Sequence, residues 1–134
     1  MFATVFFGLL DPSNGKLLYI NAGHESPLLI SNGTLKTRLD PTGPAVGMLP
    51  NMDFKLEQVT LNPGDALILY TDGVTDALNA KDEQFTEHKL IATAILSSGS
   101  ADARLKDMLS AVDAHTAGRE QFDDITLLAV QRNE

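Results

Sequence analysis

The sequence predicts an α+β domain built mostly of antiparallel strands. Three observations carry that expectation. Short apolar runs separated by Gly, Pro and Asn turns fill residues 1–70. Apolar periodicity of the helical kind is confined to two stretches of the second half, and one last apolar run follows them. At 134 residues the chain is read as a single domain, 1–134, long enough for one core and too short for two.

Residues 2–10 are apolar on both alternating faces, with Thr4 the one polar side chain, and read as a strand covered on both sides rather than an edge. Asp11-Pro12-Ser13-Asn14-Gly15 is a turn, because proline presets one dihedral and glycine supplies a positive one, and residues 17–22 return as the second arm. Residues 27–30 and 35–38 flank Asn32-Gly33, a strong hairpin signal. The three prolines and two glycines of residues 39–50 mark a long, stiff loop. Residues 54–61 alternate as a strand, and the turn Asn62-Pro63-Gly64-Asp65 delivers a buried strand at 66–70. Thr86 is placed to cap a helix reaching about Leu96, with Leu90, Ile91, Ala94 and Ile95 on one face. Ser100 is placed to cap a second, with Leu105, Met108, Leu109 and Val112 at helical spacing, ending near Gly118. Residues 125–130 close the chain as a buried strand.

Composition narrows the function classes. Hydrophobic residues at 43% and charged residues at 21% describe a globular chain, and the absence of cysteine excludes disulfides and thiolate metal sites. A net charge of -8 argues against a nucleic-acid partner, which calls for a basic face. No apolar run approaches the ~20 residues that span a bilayer, so no membrane partner and a cytoplasmic location are expected. Residues 1–50 balance in charge, so the whole excess of acid lies in residues 51–134.

Chemistry concentrates at two strand ends. Tyr70-Thr71-Asp72-Gly73-Val74 sets a carboxylate at the tip of a buried strand, where a rigid element holds it. On these five residues alone the commoner role of Asp72 is to cap the turn. Asp123 and Asp124 stand immediately before the last strand. If strands 66–70 and 125–130 pair antiparallel, Asp72 and Asp123 share one edge. Gathered carboxylates repel unless a cation or a shared proton compensates, and an all-oxygen site suits Mg²⁺ or Mn²⁺. The alternative is a solvated acidic turn. Asn21-Ala22-Gly23-His24 is read as structural, His88 and His115 as ordinary surface residues, and Gly43-Pro44 with Gly47 as no phosphate-binding motif.

Four motifs in order carry a family resemblance: Phe6-Phe7-Gly8-Leu9-Leu10-Asp11, then Tyr19-Ile20-Asn21-Ala22-Gly23-His24, then Pro63-Gly64-Asp65 with Tyr70-Thr71-Asp72-Gly73-Val74, and finally Asp123-Asp124-Ile125-Thr126. Over residues 2–130 the chain resembles the SpoIIE-like branch of the metal-dependent (PPM, type 2C) serine/threonine protein phosphatases. The resemblance implies a two-layer antiparallel β-sandwich flanked by helices, with Mn²⁺ or Mg²⁺ as a pair at one end. It implies that Asp72 and Asp123 are metal ligands and catalytic residues, and that Gly73 and Asp124 shape their surroundings. A metal-activated water would then attack phosphorus in a phosphoserine or phosphothreonine protein, such as an anti-sigma-factor antagonist, with no covalent intermediate.

The chain also departs from the family pattern. The family's first metal-binding motif, an aspartate pair near a glycine, has no counterpart here, and neither have its N-terminal strand and helices. The resemblance therefore implies the C-terminal portion of a domain in a longer parent, following an upstream sensory or response-regulator module, and a chain that is inactive on its own. Asp76 stands where glutamate is usual, Glu25-Ser26 precede Pro27, and Thr86 stands where the family often has glycine. The rival reading is a regulatory or protein-binding module that keeps the fold without turnover. The doubly apolar first strand, with only two helices to cover a sheet, leads to the expectation of a homodimer.

Overall fold

The computed structural model describes residues 1–120 and 123–133. Among them the element order is β1 (Val5–Leu10), β2 (Lys16–Ala22), β3 (Leu28–Ser31), β4 (Thr34–Arg38), β5 (Glu57–Thr60), β6 (Ala66–Tyr70), α1 (Asp72–Thr75), α2 (Thr86–Leu96), α3 (Ala101–His115) and β7 (Leu127–Gln131). The strands make two antiparallel sheets, ordered β1-β2-β5 and β4-β3-β6-β7. Local chemistry sets the connections. Asn32 and Gly33 both have positive φ, 51° and 73°, which matches the right-handed twist of the β3–β4 hairpin. The Ser100 hydroxyl accepts the Ala103 amide at 3.1 Å and starts α3.

The four-stranded sheet is the middle layer, and alternation along its strands makes it so. Leu28, Ile30, Ile68 and Tyr70 point to the helices and bury against Leu90, Ala94, Met108 and Val112. The alternate residues Leu29 and Leu67 point the other way and pack on Leu17 and Tyr19 of β2. Phe6 of β1 stacks on Tyr19 with ring centroids 5.5 Å apart. This is the two-layer antiparallel sandwich with helices on one side.

Several local expectations need correction. The first strand is an edge, paired only with β2 among the described residues. Its outward Phe7 and Leu9 are 63% and 65% exposed, because both long helices lie on the other sheet. The strand expected at 54–61 is only Glu57–Thr60, and the last strand begins at Leu127 rather than 125. Leu109 lies outside the apolar face of α3, at 42% exposure. His115 is half-buried rather than superficial: its ring meets the buried Phe85 edge-on at 5.4 Å. Thr86 opens α2 in the left-handed region, φ 76°, and its hydroxyl reaches the Lys89 amide only at 3.4 Å. No helix among the described residues is long and apolar enough to cross a membrane.

Candidate metal centre

The site is built where β6 ends and β7 begins. Their antiparallel register sets Tyr70 opposite Leu127, so Thr71-Asp72-Gly73 leaves one strand beside the segment that enters the other. Thr71 ties the two together. Its amide donates to the Thr126 carbonyl at 3.1 Å and its hydroxyl to the Asp124 carbonyl at 3.3 Å, while the Thr126 amide donates to the Thr71 hydroxyl at 3.2 Å. Gly73 then packs its bare Cα against the Asp124 carbonyl and the Asp123 backbone, a contact any side chain would obstruct. The structure thus brings the four candidates Asp72, Gly73, Asp123 and Asp124 to one edge.

Asp72 is the exposed first residue of α1. Asp123 is also exposed, and its carboxylate accepts the Asp124 amide at 2.8 Å. Beside them opens a cleft of about 310 Å³ lined by Gly73, Asp76, Asp113, Arg119, Glu120 and Asp123 among others. Four carboxylates of the acidic second half of the chain therefore line one hollow together with Arg119. Carboxylates are hard oxygen donors and suit Mg²⁺ or Mn²⁺. Among the described residues, however, no three His, Asp or Glu side chains are grouped to hold a metal. Asp72 and Asp123 accordingly fit a share of a hard-cation coordination sphere.

Two further residues near the site were not singled out as functional by sequence reasoning. Glu25 follows His24 in the β2–β3 loop, and its carboxyl is held above the usual range by partial burial, then by the negative charges of Asp72 and Asp76, with His24 opposing. Its only sequence signal was its departure from the family pattern. Arg119 lines the cleft and pairs with Asp82. It lies in a loop with no motif around it.

Asn21 and His24 take structural positions. Asn21 is fully buried; its side chain donates to the Leu39 carbonyl at 2.9 Å and accepts the His24 amide at 2.8 Å. His24 Nδ1 lies 3.0 Å from the Glu25 carbonyl, and the ring borders a groove with Thr71 and Thr126. Behind the site, the buried Tyr70 hydroxyl donates to Glu87 at 3.0 Å, and Glu87 pairs with Arg38, which binds β6, α2 and β4 together. Burial first, and then that hydrogen bond, push the Tyr70 phenol far above its usual range.

Known proteins are similar to this chain. The family described as Stage II sporulation protein E (SpoIIE) matches residues 1–133. Protein IcfG of Synechocystis sp. is 47% identical over 134 residues, which are 99% of this chain and 21% of that protein. Phosphoserine phosphatase RsbU of Bacillus subtilis is 27% identical over 135 residues, 98% of this chain and 39% of RsbU. The chain thus spans well under half of either relative. In three dimensions it resembles the RsbU and RsbW domains of Rv1364c from Mycobacterium tuberculosis, with a TM-score of 0.76 and 27% identity over 97% of this chain and 37% of that one. The match covers all four motifs and both sheets, and the chain belongs to the SpoIIE family.

Proposed function

We propose that this chain supplies the Asp72 and Asp123 ligands of a metal-dependent protein serine/threonine phosphatase of the PPM type. The observation that carries the reading is the tie between Thr71 and Asp124, which holds two carboxylate-bearing strand ends side by side. A bound Mn²⁺ or Mg²⁺ pair would supply a nucleophilic water and neutralise phosphoryl charge. Asp72 and Asp123 would hold part of that cation pair, because one follows a strand and the other precedes its antiparallel neighbour in the same sheet. Gly73 and the Asp124 carbonyl keep the two strand ends in contact. The substrate class proposed is a phosphoserine or phosphothreonine protein in bacterial signalling, such as an anti-sigma-factor antagonist; the name of RsbU, a phosphoserine phosphatase, supports it.

A second reading is a non-catalytic regulatory module. It is favoured by the absence of a third grouped ligand among the described residues. The test uses a longer natural protein containing this chain, assayed with Mn²⁺ on a phosphoserine peptide. Turnover that falls by orders of magnitude in Asp72→Asn and Asp123→Asn supports the phosphatase. Wild-type turnover in Asp72→Asn contradicts it, and no turnover in any form favours the regulatory module. The 134-residue chain alone should hydrolyse p-nitrophenyl phosphate negligibly, because two carboxylates hold a hard cation weakly.

A further inference from the structure

The motif Asn21-Ala22-Gly23-His24 lies where β2 ends, and its course is fixed by the loop that follows β4. The Thr42 hydroxyl accepts the Asn21 amide at 3.0 Å, and the Asn21 carbonyl accepts the Thr42 amide at 2.8 Å. Gly23 has φ 69° and runs so close to Ala45 that a Cβ would stand 2.8 Å from the Ala45 nitrogen. The buried Asn21 side chain then holds the His24 amide. The backbone that carries the imidazole is therefore set by contacts on both sides of it.

The ring is oriented as well. Its Nδ1 lies 3.0 Å from the Glu25 carbonyl, and a carbonyl only accepts, so Nδ1 carries the proton of that bond. Nε2 makes no hydrogen bond among the described residues. The half-buried ring borders a groove of about 340 Å³ with Thr71, Thr126, Phe6, Leu69 and Leu128 among others. Thr71 immediately precedes Asp72, and its hydroxyl accepts the Thr126 amide at 3.2 Å, so the imidazole and the strand tip that bears Asp72 share one rim. The electrostatics agree, because the Glu25 carboxyl feels Asp72, Asp76 and His24 together. Histidine is the side chain in that lining able to pass a proton near neutral pH.

We propose that His24 is a catalytic residue that gives its Nε2 proton to the leaving seryl or threonyl oxygen of a substrate phosphoprotein. This role rests on the phosphatase reading above and adds the proton donor that a strongly basic leaving group needs. A water oxygen bonds phosphorus, the bond from phosphorus to the side-chain oxygen breaks, and the electron pair of that bond takes the proton from Nε2. Solvent returns the proton shed by the attacking water to Nε2, so the free hydroxyl side chain and inorganic phosphate are the only products.

A longer natural protein containing this chain, assayed with Mn²⁺ on two substrates, tests the role. A phosphoserine peptide releases an alkoxide that must be protonated, whereas p-nitrophenyl phosphate releases a phenolate that leaves without a proton. His24→Asn keeps an amide donor for the Glu25 carbonyl and removes Nε2. It should lower kcat on the peptide by about a hundredfold or more, the scale of losing a general acid. Turnover of p-nitrophenyl phosphate, and Mn²⁺ binding by the 134-residue chain, should be little changed. His24→Gln sets an amide near the place of Nε2 with no proton to transfer, and should be as slow on the peptide.

Parallel losses on both substrates would make His24 structural and overturn the role. Wild-type peptide turnover in His24→Asn would overturn it too, and the phosphatase reading would stand if Asp72→Asn is inactive on both substrates. No turnover of either substrate by the wild type would remove that reading, and the role with it. If His24→Asn does not fold by circular dichroism, His24→Gln carries the comparison with the same expected split and the same contrary results. Nitrogen NMR of the 134-residue chain gives a readout free of turnover. The neutral His24 ring should hold its proton on Nδ1, and a proton on Nε2 instead would overturn the assignment.

Discussion

Gly73 lies so close to the main-chain carbonyl of Asp124 that a methyl group on its Cα would overlap that oxygen. Helix propensity alone would favour Ala over Gly here by about 1 kcal/mol, so Gly73→Ala separates the two effects. The expected outcome is a loss of roughly 1–3 kcal/mol as the strand ends are forced apart. Denaturant unfolding checks it, and a stabilised variant would mean that the contact is loose.

Tyr70→Phe should cost about 1 kcal/mol, the worth of a typical hydrogen bond, since Glu87 keeps its pairing with Arg38. The raised phenol also predicts a pH dependence. The folded state keeps its proton where the unfolded chain loses one, so the unfolded state binds fewer protons and stability falls as pH rises above the ordinary phenol value of 10.0. That alkaline fall should be shallower in Tyr70→Phe. It should not vanish, because burial also raises the Tyr19 phenol, with help from Glu57 and Asp40. Thermal unfolding from pH 8 to 11 measures both curves.

Thr86→Gly should stabilise the chain. A β-branched residue at φ 76° carries left-handed strain of about 1–3 kcal/mol. Glycine removes the strain and gives back part of the gain through its freer unfolded state and the lost, long contact to the Lys89 amide. A net rise of about 0.5–1 kcal/mol in unfolding free energy is expected, and a lower melting temperature would contradict the strain.

How far the sequence could be read depends on the range of the interaction. Asn32-Gly33 and Ser100 act within a few residues, and both form as expected. The placement of Asp72 and Asp123 at one sheet edge depends on one strand pairing, which the acid-bearing ends of two apolar runs already suggest. Glu25, by contrast, feels Asp72 and Asp76 only because the β2–β3 loop passes the end of β6, and nothing local to Glu25 signals that path. Arg119 reaches Asn79 across 40 positions of chain and sits in a loop without periodicity. The edge position of the first strand is illegible in the sequence for a related reason. Its apolar pattern says that both faces prefer cover, but only the sheet order shows that the helices lie elsewhere.

The bare outer face of β1 makes its own prediction. Phe7 and Leu9 stand beside Ile20 and Leu18 in register, and the two β1 side chains are largely exposed. Large apolar groups left in water forgo roughly 1.5–3 kcal/mol each relative to burial. We expect the isolated chain to self-associate as a homodimer through this face and Phe7→Lys with Leu9→Lys to yield a monomer. Light scattering at micromolar concentration checks it, and a monomeric wild-type chain that binds no dye for exposed apolar surface would contradict it.

Asp72 and Asp123 are proposed to hold a hard divalent cation together. The most direct test is a Mn²⁺ titration of the wild-type chain, Asp72→Asn, Asp123→Asn and the double variant, with the free ion read by electron paramagnetic resonance. A site shared by the two carboxylates predicts weak binding by the wild type, a marked loss in each single variant, and little further loss in the double variant. All four proteins should retain the same circular dichroism spectrum. Equal affinity in all four would show that these two aspartates are not ligands.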